Sequence, residues 1–193
     1  MQNQTLEGFR LSPQQKHLWS LQQDSVAYRA QCGILLEGDL KIEILKQTLE
    51  KIVDRHEILR TIFHRRSGLK TPIQVISDRS NLSWQYINLS DRTPQQQQTT
   101  IEELFQKERN FTYDWEKNSL LRLSLIILSP QQHLLIITLP SLCADSWALK
   151  NLVKEISQTY SQCLNDRELG DEPVQYIQFS EWQNELIEED TET

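Results

Sequence analysis

The spacing of apolar residues along the chain predicts both helices and strands. Leu45, Leu49 and Ile52 recur at intervals of four and three, which predicts an amphipathic helix that buries one face. Two apolar runs, 120–128 and 132–139, are separated by Ser-Pro-Gln. Such a short connection between two strands is typical of an antiparallel hairpin inside a sheet.

The remaining elements follow the same two periodicities. Helices are expected over 12–22, 42–57, from Pro94 through Phe105, over 147–164 and over 174–188. Further strands are expected over 30–36, 59–64, 72–77 and 82–87. Because strands and helices mix without strict βαβ alternation, the order predicts an α+β sandwich with helices on a largely antiparallel or mixed sheet.

The last two helices are each predicted to bury one apolar face. The first should lie on the sheet through Trp147, Leu149, Leu152, Val153, Ile156, Tyr160 and Leu164. The second should bury Tyr176, Phe179, Trp182 and Leu186. Its acidic stripe of Glu181, Glu185 and Glu188 is typical of a solvated face, with contact to a basic partner as the alternative.

The stretch Leu134–Trp147 joins a buried strand to a helix. Its apolar run stops at Pro140, passes through a short loop and continues as a helical pattern, with Asp145 or Ser146 suited to the N-cap. A strand that ends at a helix N-terminus is a common place for reactive groups. This loop, however, contains neither histidine nor glutamate.

Composition narrows the class of protein. The chain has 193 residues, which favours one domain, and its net charge of −7 and pI near 5.2 argue against a nucleic-acid partner. No apolar run approaches the roughly 20 residues that cross a bilayer, and the first ten residues do not resemble a signal peptide. Cys32, Cys143 and Cys163 are odd in number and widely spaced, which argues against a disulfide framework or a zinc site and indicates a cytoplasmic protein.

Four segments, in order, resemble the condensation domains of non-ribosomal peptide synthetases, which have the chloramphenicol acetyltransferase-like fold. LSPQQKHLW (11–19) is similar to the Ser-x-x-Gln-x-x-x-Trp start, and RHEILRTIF (55–63) matches the second motif most closely. FTYDWEKNSLLRLSL (111–125) is a weaker match. YIQFSEWQ (176–183) resembles the fourth, with Gln178 in place of an aspartate.

The resemblance implies a domain organisation. The family has two similar lobes, and all four segments belong to the first. We therefore expect a flexible N-terminus (1–10), a condensation-type N-terminal lobe (11–188) and the start of a linker (189–193). The lobe is either a truncated piece of a larger synthetase or a natural half-domain.

The resemblance also implies where the chemistry would lie. The family's His-His-x-x-x-Asp-Gly motif stands at a strand-to-helix loop, and its second histidine lies between two carrier-bound substrates. Aligned on Asp145, the histidine positions become Pro140 and Ser141, and the glycine becomes Ser146. Neither proline nor serine accepts a proton at neutral pH, and loss of a general base costs about 10²–10⁴ in rate. The site is therefore predicted to be degenerate.

Asp145 is retained, and the resemblance gives it a structural role. It is expected to pair with an arginine of the second motif, either Arg55 or Arg60, and to cap the following helix. Removing one partner of such a buried pair typically costs about 3–5 kcal/mol.

Other reactive side chains receive simpler interpretations. Ser141 as a nucleophile would need a base within reach, and Cys143 is expected to be a small buried thiol. His56 should pack or hydrogen-bond locally. His17, His64 and His133 are scattered and lack metal-ligand spacing.

Three functions remain open. The first is a non-catalytic scaffold lobe that contacts an adenylation or carrier domain, or a second lobe, of the same synthetase. The second is a part of an active, amide-forming domain whose second lobe lies downstream, and the third is a module that recruits a tailoring enzyme. No cofactor is expected to bind directly, although phosphopantetheine-loaded carrier domains are implied by the family. A lone lobe should also expose an apolar face, so a homodimer is a further expectation.

Overall fold

The computed structural model describes residues 7–22, 27–78, 82–117 and 119–191. The helices are α1 Pro13–Gln22, α2 Ile42–Arg55, α3 Pro94–Arg109, α4 Ser146–Leu164 and α5 Tyr176–Thr191, with a short 3-10 turn at Glu57–Arg60. The strands are β1 Arg29–Glu37, β2 Thr61–His64, β3 Ile73–Ile76, β4 Ser83–Asn88, β5 Arg122–Ser129 and β6 Gln132–Pro140. The α+β class predicted from the sequence is confirmed.

A mixed sheet of four strands, in the order β1-β6-β5-β4, forms the centre of the fold. β5 and β6 form the predicted antiparallel hairpin, with Leu125 opposite Leu135. β1 runs antiparallel to the other side of β6, whereas β4 runs parallel to β5. β2 and β3 form a separate antiparallel pair. β6 is thus an interior strand, and its position explains its continuous apolar run.

Helices cover both faces of the sheet. Because side chains alternate along a strand, Leu135 and Ile137 of β6 join the larger core cluster, which also contains Leu45 and Leu49 of α2. Ile136 points the other way and packs with Leu104 of α3 in a second cluster. The amphipathic helix predicted from the spacing of leucines and isoleucines is confirmed as α2.

An aromatic cluster packs α1 against the rest of the fold. Ring centroids lie 6.3 Å apart for Trp19 and Phe63, 5.6 Å for Trp19 and Trp115, and 6.1 Å for Phe63 and Trp115. Trp19 belongs to α1 and Phe63 to β2, while Trp115 precedes β5. The two pairs that involve Trp115 have the edge-to-face geometry that aromatic rings prefer.

The face that α5 buries differs from the predicted one. Ile177, Ser180 and Asn184 are buried, whereas Trp182 is 53% exposed. Ser180 and Asn184 face inward because two backbone carbonyls of the segment before α1 require hydrogen-bond donors. Ser180 Oγ donates to the Arg10 carbonyl at 2.8 Å, and Asn184 Nδ2 donates to the Leu11 carbonyl at 3.0 Å. The predicted inward residues Phe179, Trp182 and Leu186 therefore form an exposed apolar face, which we call the α5 outer face.

Of the N-terminal residues predicted to be flexible, Phe9 and Arg10 make contacts with β3 and α5. Arg10 Nε donates to Glu181 Oε2 at 2.8 Å, and Arg10 also pairs with Glu188 at 2.5 Å. Phe9 exchanges two backbone hydrogen bonds of 2.8 Å with Gln74. Two of the three glutamates in the predicted solvated stripe are thus ion-pair partners of Arg10, and residues 1–6 lie outside the described part.

Two further predictions need correction, namely the inward position of Trp147 and the end of α5. Trp147 is 72% exposed, because it stands two positions before buried Leu149 and so lies on the opposite side of α4. α5 continues to Thr191, three residues beyond the predicted end of the helix at 188. In the described ranges, no helix combines the length and the hydropathy that a membrane span requires.

Candidate functional site

The loop 141–145 lies where β6 ends and α4 begins. β1 pairs with β6 up to Arg29 opposite Pro140, and the next amide, that of Ser141, donates to the Tyr28 carbonyl at 2.9 Å. The Cys143 amide then donates to the Pro140 carbonyl at 2.9 Å, which closes a turn. The loop is therefore anchored by the sheet edge that precedes it.

Asp145 caps α4, as one of the two predicted N-caps. Its Oδ1 accepts a hydrogen bond of 2.8 Å from the Ala148 amide, and its own backbone is extended. A carboxylate at this position satisfies an amide that the helix leaves unpaired and interacts favourably with the helix dipole. The second carboxylate oxygen has no hydrogen-bond partner among the described residues.

The predicted ion pair between Asp145 and Arg55 or Arg60 is wrong. Arg55 Nε instead lies 3.3 Å from Glu155 Oε1, and Arg55 also donates to the carbonyl of Gly170 at 2.9 Å. Arg60 donates to the Ser77 carbonyl at 2.7 Å. Because Glu155 stands ten positions after Asp145, about 15 Å further along α4, the second motif contacts the middle of the helix and not its first turn.

An open cavity of about 540 Å³ adjoins the loop. Ser141 and Asp145 line it from the loop, His17 from α1, and Tyr176 and Phe179 from α5. The other lining residues are Gln14, Gln15, Leu18, Leu142, Cys143, Ala144 and Ala148. The cavity is thus assembled from segments that are distant in sequence, and it holds the loop positions singled out from the sequence.

Buried hydrogen bonds hold α1 against this loop. Gln15 Nε2 donates to the Leu142 carbonyl at 3.0 Å and to Gln74 Oε1 at 2.9 Å. The Ser12 hydroxyl lies 2.7 Å from the Tyr176 hydroxyl, which ties α1 to the start of α5. Burial raises the pKa of Tyr176. These contacts fix both the distance and the rotation of α1 relative to the loop.

His17 is the functional candidate that the sequence did not single out. Pattern and spacing leave it as one of several scattered histidines, and only the packing of α1 brings it to the cavity. The other histidines lie elsewhere: His56 Nε2 is 2.7 Å from Glu155 Oε2, and His64 Nδ1 is 3.4 Å from Glu116. His133, at the far end of β6, is buried, and burial lowers its pKa. His56, the residue that follows α2, thus hydrogen-bonds to Glu155 of α4, 99 positions away in the chain, and not to a local group.

Comparison with known protein families identifies the family of this chain. The family model of the condensation domain matches residues 7–193. The chain belongs to the condensation-domain family. The resemblance inferred from four short segments is thereby confirmed.

The curated relatives are much longer synthetases, and this chain aligns with only a small part of each. The condensation-domain chain is 30% identical over 173 residues to a plipastatin synthase polypeptide of Bacillus subtilis (strain 168) and 31% over 180 residues to chondramide synthase of Chondromyces crocatus. It is 33% identical over 173 residues to tyrocidine synthase 2 of Brevibacillus parabrevis. These alignments span 89%, 91% and 90% of the chain but only 5%, 5% and 4% of the relatives.

Solved condensation domains share the fold. The starter condensation domain of rhizomide synthetase superposes with a TM-score of 0.80 at 16% identity, covering 93% of this chain and 45% of that one. The condensation domain of monacolin K polyketide synthase gives 0.79 at 24% identity, covering 95% and 40%. The condensation-domain chain therefore spans less than half the length of these solved chains.

Neither candidate nucleophile of the condensation-domain chain has the environment that nucleophilic attack requires. Among the described residues, no histidine hydrogen-bonds the Ser141 hydroxyl. Cys143 is buried, and burial raises the pKa of its thiol to about 12. In the described ranges, no group of three or more histidine, cysteine and carboxylate side chains could hold a metal ion.

We expect Cys143 to resist alkylation in the folded protein. The thiolate is the reactive form, and a pKa of about 12 leaves almost none of it at pH 8. Iodoacetamide labelling followed by mass spectrometry should modify the partly exposed Cys163 first, and Cys143 only after unfolding in urea. Labelling of both cysteines at equal rates in the native protein would contradict this assignment.

Proposed function

We propose that this chain is the N-terminal lobe of a two-lobed condensation domain in a non-ribosomal peptide synthetase, and that it forms no amide bonds by itself. It acts as a scaffold and as one wall of a substrate channel. The observation that carries the proposal is the strand-end loop, which keeps the Asp145 cap of α4 and a cavity beside it. At the positions where the family has its two histidines, this chain has Pro140 and Ser141.

The exposed surface supports the one-lobe proposal. Phe179 lines the cavity and also belongs to the α5 outer face with Trp182 and Leu186, so the two features are continuous. A second body seated on this face would remove three large apolar side chains from water and close the cavity in one step. The second lobe fits this role best, with a neighbouring adenylation or carrier domain, or a second copy of the chain, as alternatives.

The proposed substrates are acyl and aminoacyl groups on carrier domains. In this proposal the phosphopantetheine arm belongs to the carrier and enters an assembled channel, so the lobe itself holds no resident cofactor. A cavity that has walls on one side only does not hold two substrates in a fixed orientation, and proximity accelerates a reaction only when the reacting groups are oriented.

We expect residues 1–193 to form no amide above the uncatalysed rate when mixed with carrier-loaded acyl and aminoacyl groups. Ser141→His should not raise this rate, because an imidazole alone does not replace the missing half of the channel. Product is measured by mass spectrometry, and a two-lobed condensation domain assayed on its own carriers shows that the assay detects turnover. Amide formation by the wild-type chain would refute the proposed function, and a gain with Ser141→His would mean that the lobe already contains a complete but disarmed site.

A second candidate function is recruitment of a separate enzyme. The X-domain from teicoplanin biosynthesis, solved in complex with OxyB, shares the fold with a TM-score of 0.82 at 22% identity. The α5 outer face would be the contact surface in this case too. A folded partner enzyme that binds wild-type chain and fails to bind Trp182→Arg, in the absence of any second lobe, would favour recruitment over the one-lobe proposal.

A further inference from the structure

β1 is an edge strand of the central sheet. The strand order is β1-β6-β5-β4, and among the described residues only β6 pairs with β1, along the whole of Arg29–Glu37. Edge strands usually carry a proline, a lysine or a bulge that prevents pairing with another chain. β1 has a continuous register with β6, and its sequence RAQCGILLE contains neither proline nor lysine. The edge is therefore long, regular and available to a further strand.

The backbone groups of alternate β1 residues point away from β6. The Ser141 amide donates to the Tyr28 carbonyl at 2.9 Å, next to the pair formed by Arg29 and Pro140. In an antiparallel ladder, a hydrogen bond at this offset flanks a pair that exchanges no hydrogen bond itself. The odd-numbered residues from 29 to 37 therefore direct their N–H and C=O groups to the edge, whereas the even-numbered residues bond to β6.

The surface along this edge is largely apolar. Leu35 is 54% exposed, and Gly33 is exposed as well. A cavity of about 420 Å³ is lined by Leu35 and also by Ile34 and Leu36. Because neighbouring residues of a strand point to opposite faces of the sheet, a cavity that contacts all three lies at the strand edge. An apolar strand edge of this kind favours the addition of another strand.

The sequence of β1 is complementary to itself in one antiparallel register. When Gly33 of two copies lies on a twofold axis, the outward residues form hydrogen-bonded pairs, and Arg29 lies opposite Glu37 of the second copy at both ends. Leu35 then lies opposite Gln31 and diagonal to Gly33, which has no side chain to obstruct it. Registers shifted by two residues no longer place Arg29 opposite Glu37, and they shorten the pairing.

We propose that two copies of this chain associate through antiparallel pairing of their β1 strands about a twofold axis at Gly33. The two four-stranded sheets then form one sheet of eight strands. Because the axis is perpendicular to the sheet, the two cavities beside β1 lie on the same side of it and meet at the interface. The α5 outer face belongs to a different element and takes no part in this contact, so the inference does not depend on the proposed function.

Sedimentation velocity over a range of concentrations measures this association. The wild-type chain should show a dimer fraction that rises with concentration. Leu35→Lys should raise the dissociation constant at least about tenfold, because each copy loses a buried leucine and gains a charge at the joined edges. The matched control is Leu69→Lys, since Leu69 is 56% exposed but lies in the connection between β2 and β3, and it should leave the dissociation constant unchanged. Circular dichroism verifies that both variants are folded.

Two further measurements test the register. Glu37→Gln removes both exposed ion pairs of the dimer and should raise the dissociation constant by about twofold to tenfold. In dimers formed from isotope-labelled and unlabelled chain, filtered NMR spectra should show a contact between the α protons of Cys32 and of Ile34 in the second copy. These two residues form a pair without hydrogen bonds in the proposed register, and such pairs bring the backbones closest together.

Several results would overturn the proposal. One is a dissociation constant above about 1 mM, which corresponds to a very weak contact. Another is a dimer that Leu35→Lys leaves intact, and loss of that dimer in Trp182→Arg would place the contact on the α5 outer face. A monomer in which the amides of Gly33 and Leu35 exchange as slowly as those of Ile34 and Leu36 would show that the edge is already covered within the chain. None of these results concerns amide formation, so they are distinguishable from failure of the proposed function.

Discussion

Phe63→Ala should lower the free energy of unfolding by about 3–5 kcal/mol, the range for removal of a buried aromatic side chain. Phe63 is 0% exposed and touches the rings of both Trp19 and Trp115, so the substitution opens a cavity that three separate segments cannot easily fill. Urea unfolding followed by tryptophan fluorescence measures the loss. Should Phe63→Ala fail to fold, Phe63→Leu should still be measurably destabilised, by less than the alanine variant.

The matched control for Phe63→Ala is Phe179→Ala on the α5 outer face. Phe179 is 40% exposed, so its truncation should cost no more than about 1 kcal/mol. Because Trp19 anchors α1, loosening the cluster should also broaden the NMR signals of His17 in Phe63→Ala. Equal destabilisation by the two substitutions would show that the aromatic cluster does not hold α1 in place.

The centre of the sheet was predictable because the sequence pattern that indicates it lies within neighbouring residues. The hairpin of β5 and β6 needs only two apolar runs and a short polar connection, and the burial of β6 on both faces removes any competing helical periodicity. α2 was equally clear, since Leu45, Leu49 and Ile52 all face one core. Asp145 as the cap of α4 followed from a short side-chain oxygen at the end of an apolar loop.

The orientation of α5 was not predictable from its own residues. Apolar spacing placed Phe179 and Trp182 inward, yet Ser180 and Asn184 are buried because they satisfy carbonyls of residues 10 and 11. That requirement comes from a segment about 170 residues away in the chain, so no local periodicity reports it. The outward aromatic face is the consequence, and it is also the surface that most directly implies a covering partner.

The candidate site was predictable only in its loop. Resemblance to the family led to Pro140, Ser141 and Asp145, but the expected partners Arg55 and Arg60 engage other groups, Glu155 and the Ser77 carbonyl among them. His17 could not be selected, because its placement depends on Ser12, Gln15 and Trp19 fixing α1 through contacts with five other segments. The spacing of residues in α1 does not indicate how the helix is rotated about its axis in the folded protein.

Removing Glu108 should be about as destabilising as truncating Phe63. Glu108 of α3 is 2% exposed, and Arg122 of β5 donates to it twice, at 2.5 and 3.0 Å. The Arg122 guanidinium also lies 3.6 Å from the centre of the Phe111 ring. Glu108→Leu leaves this cation with no carboxylate in a largely buried position, and breaking such a pair typically costs about 3–5 kcal/mol.

The control for Glu108→Leu is the double variant Glu108→Leu/Arg122→Met, which removes both charges and keeps the volume apolar. It should recover much of the lost stability, because replacement of a whole buried ion pair is often neutral. Urea denaturation of the wild type, both single variants and the double variant yields the coupling energy. Additive losses would show that the two charges do not depend on each other. Strong coupling would instead show that the pair fixes the end of α3 to Arg122, the first residue of β5. Arg122 lies opposite Thr138 of β6, two residues before that strand ends. The ion pair would then also support the strand that leads into the loop with Ser141 and Asp145.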